Sequence, residues 1–179
     1  MLLVKNAEVY APEYLGKKDL LICGGKIECI QDFIGELPVE CEILDAEGKI
    51  LTPGFLDQHV HITGGGGEGS FHTRTPELQM SELVENGITT VVGLLGTDGI
   101  TRSVDNLYAK TRALCEEGVS AYMLTGAYGY PSPTLTGEID RDIVFVKEIL
   151  GVKLAISDHR APNVTEDQLI QIASKARVA

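Results

Sequence analysis

Two histidines, His59 and His61, close the apolar run Pro-Gly-Phe-Leu-Asp-Gln-His-Val-His that begins at Pro53. On a β-strand, positions i and i+2 face the same side, so both imidazoles can reach one ion. Neutral imidazole is the commonest protein ligand for zinc-like metals. The run leads directly into Gly64-Gly65-Gly66-Gly67-Glu68, a loop whose glycines let backbone come close to another group. A third candidate, Lys153, lies inside the apolar stretch Leu-Gly-Val-Lys-Leu-Ala-Ile that starts at Leu150. A buried ammonium must find a partner or lose its proton. Taken alone, Lys153 also reads as an edge lysine whose tip reaches water. Beside the two histidines it has another use. A deprotonated lysine can take up CO2 as a carbamate, a carboxylate-like group able to bridge two metals. A two-metal site makes hydroxide at neutral pH and polarises a carbonyl oxygen.

The elements that must position these residues fall into two sets. Residues 1–52 read as a small β domain. Leu2 to Tyr10 is a β-rich run, Leu20 to Ile30 a hairpin turning at Gly24-Gly25, and Glu42 to Leu51 a second hairpin turning at Ala46-Glu47-Gly48. From 53 to 179 strands alternate with helices. Strand starts near 55, 89, 121 and 149 recur about every 30 residues, the spacing of parallel strands joined by helical crossovers. The intervening helices are expected from Thr75 (cap) to Gly87, from Ser103 to Gly118, and over Asp140 to Glu148. A last helix opens with the capping box Thr165 and Gln168 and turns Leu169, Ile172, Ala173 and Ala176 inward. An open doubly wound sheet and a βα barrel both fit this pattern, and both gather functional residues beyond the C-terminal strand ends.

Composition narrows the partners. The chain has 179 residues, 44% hydrophobic and 23% charged, with a net charge of −11. That acidity argues against nucleic acid or an anionic membrane surface. No stretch is apolar enough to span a bilayer, and no secretory signal opens the chain. Cys23, Cys29, Cys41 and Cys115 lack metal or redox spacing and read as reduced, buried small hydrophobes. The expected compartment is the cytoplasm.

Pro53 to His61, Gly64 to Glu68, Gly93 to Asp98, Leu124 to Tyr128 and Gly151 to Arg160 together resemble the isoaspartyl (β-aspartyl) dipeptidase branch of the amidohydrolase superfamily. The His-x-His strand is specific only to the superfamily. The Gly-Gly-Gly-Gly-Glu loop and the Ile-Ser-Asp-His-Arg segment after the lysine point to the branch. The resemblance implies a TIM-like (βα)8 barrel preceded by a small β-sandwich-like unit. It implies two zinc ions, with His59 and His61 on one metal and a carboxylated Lys153 bridging both. It implies that Glu68 receives the free α-amino group of an isoaspartyl dipeptide. Gly66, Gly67 and Thr97 would line the substrate pocket, Tyr128 would polarise the scissile carbonyl, and Arg160 would hold a substrate carboxylate.

Each position also has a plainer reading: Glu68 solvated in its loop, Tyr128 in core packing, Thr97 a turn hydroxyl, Asp57 a turn residue or a partner to the ligands. His72 and His159 read as surface or supporting histidines. A complete barrel takes ~250 residues, and the family's later histidines and proton-shuttling aspartate have no counterpart here. The chain therefore reads as the first four βα units of the barrel, a fragment with little or no activity alone. The full-length family forms homo-oligomers. Alternatives are a dihydroorotase- or hydantoinase-like cyclic amidase, or a non-catalytic remnant.

Overall fold

Apolar residues crowd the first ten positions, and Leu2–Tyr10 forms strand β1, burying Leu3, Val4, Ala7 and Val9. The computed structural model of the chain describes residues 1–179. It divides into two compact units, Met1–Pro53 and Gly54–Ala179.

In the first unit, β2 (Tyr14–Cys23) pairs antiparallel with β1 and with β3 (Lys26–Gln31). The hairpin turns at Gly24-Gly25, both at positive φ, as expected. The second expected hairpin does not form. β4 (Glu42–Asp45) and β5 (Ile50–Leu51) each pair in parallel with β1 instead of with one another. The turn residues are real, with Glu47 and Gly48 at positive φ, but they carry the chain along β1. The unit is thus one mixed five-stranded sheet and not a sandwich of two.

Asp19 is buried in this unit and accepts the amides of Asn6 and Ile34, both at 2.9 Å, with Lys5 at 3.7 Å. Burial alone would raise its carboxyl. The two amides and the Lys5 charge outweigh it and hold the group below its ordinary value. A carboxyl more acidic in the folded than in the unfolded state stabilises the fold above pH ~4, and that contribution is lost as the pH falls through the folded value. Asp19→Asn is expected to cost about 1–3 kcal/mol at neutral pH and to flatten the acid limb of stability, measured by urea titration from pH 7 to 3.

The second unit alternates strand and helix: β6 (Phe55–Val60), α1 (Met80–Glu85), β7 (Ile88–Gly93), α2 (Val104–Glu116), β8 (Ser120–Gly126), α3 (Ile139–Phe145), β9 (Ile149–Lys153) and α4 (Glu166–Val178). The strands lie in sequence order, β6-β7-β8-β9, all parallel. An open sheet and a section of a barrel share this arrangement. Val91 to Leu95 is buried on both faces, as its apolar run predicts. Ile62, Leu83, Leu107, Leu114 and Met123 fill the core around it.

Local signals set the helix starts. The Ser103 hydroxyl accepts from the Asn106 amide at the head of α2, and Thr165 and Gln168 form the expected box on α4. Three expectations are corrected. Thr75 caps no helix: α1 starts five residues later, where Glu82 accepts the Gln79 amide at 2.7 Å. Of the four apolar positions on α4, only Ile172 is buried. The cysteines are all free, but Cys23 is exposed and the other three are only partly covered. No helix is long and apolar enough to cross a membrane.

Candidate active site

The β6 strand delivers its two histidines at its C-terminal end, with ring centroids 5.6 Å apart and edge to face. His61 Nδ1 lies 3.1 Å from the Leu94 carbonyl just beyond β7. With that nitrogen donating, Nε2 keeps its lone pair for an external ligand. The ring fits because its wall is glycine: a Cβ on Gly96 would stand 2.9 Å from His61 Cε1. The His59 ring is lowered in pKa by partial desolvation, then by the charge of Lys153 and by His61, with Asp57 opposing. Asp57 itself accepts the His59 backbone amide at 3.0 Å, a strand-end turn contact.

Lys153 ends β9 and is half-buried. Its Nζ stands 5.3 Å from the centre of the Tyr128 ring. Burial lowers its pKa, and Asp158 acts in the opposite direction. No third His, Cys, Asp or Glu joins the two rings in a metal-holding cluster.

Tyr128 follows β8, and Arg160 Cζ also approaches its ring, 5.8 Å from the centre. Arg160 Nη1 donates to Glu68 Oε1 at 3.2 Å, and Thr97 Oγ1 donates to the same oxygen at 2.9 Å. The Glu68 carboxyl is held below its ordinary value by a backbone hydrogen bond and by Thr97, with the Arg160 guanidinium adding positive charge. Asp158 grips the other side of the Arg160 fork at 2.9 Å to Nε and 2.8 Å to Nη2. This pairing drives the Asp158 carboxyl far below the carboxylate range. A pocket of about 110 Å³ is bounded by His61, Gly66, Glu68, Thr97, Tyr128 and Arg160. It adjoins a wider hollow of about 450 Å³, whose lining adds Gly67, Phe71 and Ile100.

No family model matches the chain. Among solved structures, β-aspartyl dipeptidase from the thermophilic keratin-degrading Fervidobacterium islandicum AW-1 superposes with a TM-score of 0.93 at 50% identity. The match covers 99% of this chain and 49% of that one. The chain resembles the β-aspartyl dipeptidases of the amidohydrolase superfamily. The same β-aspartyl dipeptidase in complex with the dipeptide β-Asp-Leu matches at a TM-score of 0.91 and 49% identity, over 99% of this chain and 47% of that one. A dihydroorotase of Listeria monocytogenes is 35% identical over 126 residues, 68% of this chain and 28% of its own length. The chain thus spans about half the length of the β-aspartyl dipeptidase it matches and a smaller share of the dihydroorotase.

The geometry adds four residues to those that the β-aspartyl dipeptidase resemblance names, and it keeps the two remaining histidines on the surface, one of the two readings the sequence left for them. His72, in a 3-10 turn, and His159 are exposed, and neither lines the pocket. Asp158, Asp98, Arg102 and Arg74 were not read from the sequence, yet they brace the loops that carry Glu68, Thr97 and Arg160. A carboxylate two residues before Arg160 and the Asp98/Arg102 pair four apart are the signals that could have found them.

Proposed function

We propose that this chain contributes part of a metal-dependent hydrolase that cleaves the isopeptide bond of β-aspartyl dipeptides, residues 53–179 being the first four βα units of its (βα)8 barrel. One observation carries the reading: a carboxylate and a guanidinium, Glu68 and Arg160, face one another in a pocket walled by a ligand-ready imidazole. That pair matches a zwitterion. The α-ammonium of a dipeptide takes the place of Arg160 on Glu68, and a substrate carboxylate takes the fork of Arg160. The Tyr128 hydroxyl donates to the carbonyl oxygen as negative charge develops on it.

The donor set fits a metal. His61 offers Nε2 because Nδ1 faces the Leu94 carbonyl. His59 is biased to the neutral form, and Lys153 is biased the same way, which favours uptake of CO2 as a carbamate with release of a proton. Zinc held there would supply Lewis acidity toward the scissile carbonyl and activation of water at neutral pH.

The decisive preparation joins residues 1–179 to the remaining portion of a β-aspartyl dipeptidase. This joined protein is expected to hydrolyse β-Asp-Leu, while the 179-residue chain alone shows little or no turnover. Glu68→Gln should lower kcat/KM for the dipeptide at least ~100-fold, since it removes one partner of a charge-assisted pair. Undiminished dipeptide hydrolysis by that variant would overturn the substrate assignment. The dihydroorotase likeness supports one second reading, a cyclic amidase. Preference of the joined protein for a cyclic amide over β-Asp-Leu would establish it.

A further inference from the structure

The Arg102 guanidinium is buried, with 5% of the residue exposed, and it touches none of the proposed metal ligands. Four of its donors are spoken for. Nε donates to the Thr63 carbonyl at 3.1 Å, and Nη2 donates to the carbonyls of Gly65 at 3.0 Å and Thr75 at 3.1 Å. Nη1 donates to Asp98 Oδ2 at 3.2 Å. Asp98 in turn accepts Arg74 Nη1 at 3.0 Å and the amides of Thr101 at 2.8 Å and Ile100 at 3.2 Å. One planar fork therefore joins three stretches of chain: the end of the histidine strand, the return leg of the glycine loop, and the loop after β7.

The two legs of the glycine loop run against each other. The Gly65 amide donates to Thr75 Oγ1 at 2.7 Å, the Thr75 amide donates to the Gly65 carbonyl at 2.9 Å, and Gly66 bridges Arg74. The legs are too close for a side chain. A Cβ on Gly64 would stand 2.4 Å from the Thr75 carbonyl oxygen and 3.1 Å from Arg102 Nη2. Glu68 lies at the tip of this loop, and Thr97 lies one residue before Asp98. The clamp thus fixes both partners of the 2.9 Å hydrogen bond that aims the Glu68 carboxylate into the pocket.

We propose that Arg102, with Asp98, is a positioning residue that sets the distance between Glu68 and the metal-ligand strand, and so governs how tightly the dipeptide's ammonium is held. The proposal rests on the β-aspartyl dipeptidase reading for its substrate. The clamp itself does not. A lysine at 102 would keep the charge but lose the fork, because a single ammonium cannot span three carbonyls and a carboxylate in fixed directions.

Hydrogen exchange on the 179-residue chain tests the clamp directly. Arg102→Lys and, independently, Gly64→Ala should speed exchange of the Gly65 and Thr73 to Thr75 amides at least ~10-fold while leaving β7 and β8 protected. Unchanged loop protection in both variants overturns the proposal. The joined protein tests the consequence: KM for β-Asp-Leu should rise ~10–100-fold in Arg102→Lys with kcat held within ~3-fold, the loss expected when an outer support of a site is removed. A loosened loop with unchanged KM would overturn the positioning role. If the unsubstituted joined protein cleaves no dipeptide, the substrate reading falls, and loop exchange alone decides the clamp.

Discussion

Lys153→Met in the joined protein is expected to lower β-Asp-Leu turnover by ~1,000-fold or more, on the order of the loss when a principal transition-state-stabilising group is removed. Bound zinc should fall with it. Methionine keeps an unbranched stem of similar length and can lie against the same Tyr128 ring that Lys153 meets at 5.3 Å. The substitution therefore removes the nitrogen and little of the packing. A lysine whose tip merely reached water would be replaced at almost no cost. Lys153 is instead half-buried, lowered in pKa by that burial, and close enough to His59 for its charge to be felt there. Zinc content, turnover and a urea melt on the same preparation separate the outcomes. Loss of zinc and turnover with an unchanged melt supports the ligand role. Retained turnover reduces Lys153 to a strand-end lysine.

The parts of this site that could be read from sequence are those whose geometry is local. The i, i+2 spacing of His59 and His61 puts them on one side of a strand end, and the rings do meet at 5.6 Å. Ser103 and Thr165 announce helix starts because a cap is satisfied within three residues. What failed depends on partners far along the chain. The positive-φ turn at Glu47-Gly48 suits a hairpin, yet turn chemistry does not say which strand is paired, and β1 takes both short strands. Thr75 has the residue type of a cap and a proline behind it, but its hydroxyl is spent on the Gly65 amide ten residues back. Apolar spacing on α4 marks a face without saying how much is covered. The helix meets α3 and β9, and only Ile172 is fully buried. The glycine run was legible as a place of close approach. What approaches, the Thr75 carbonyl and the Arg102 fork on one side and the His61 ring on the other, was not.

Asp142 gives the sharpest stability prediction in the second unit. It is fully buried on α3, and it makes four hydrogen bonds, two of them from backbone amides. Oδ1 accepts the Thr136 amide and hydroxyl, both at 2.7 Å, while Oδ2 accepts the Leu135 amide at 2.9 Å and the Thr125 hydroxyl. The two backbone amides are fixed donors, one on each carboxylate oxygen, while the two hydroxyls can rotate to donate or accept. Asparagine has nearly the same shape but turns one acceptor into an NH2 group facing a backbone amide that can only donate. Asp142→Asn is therefore expected to cost about 1–3 kcal/mol by leaving one buried amide unpaired, and Asp142→Ala more, because it leaves both unpaired. Urea melts of the 179-residue chain measure this, and a loss under about 1 kcal/mol for asparagine would mean the pocket tolerates a donor. The effect should reach the site. Thr125 lies three residues before Tyr128 on the same strand end, and the Gly126 amide between them donates to the Pro133 carbonyl at 2.9 Å. Freeing the 133–136 segment from Asp142 loosens the backbone that aims the Tyr128 hydroxyl, so in the joined protein the asparagine variant should lose turnover at temperatures well below its melting point.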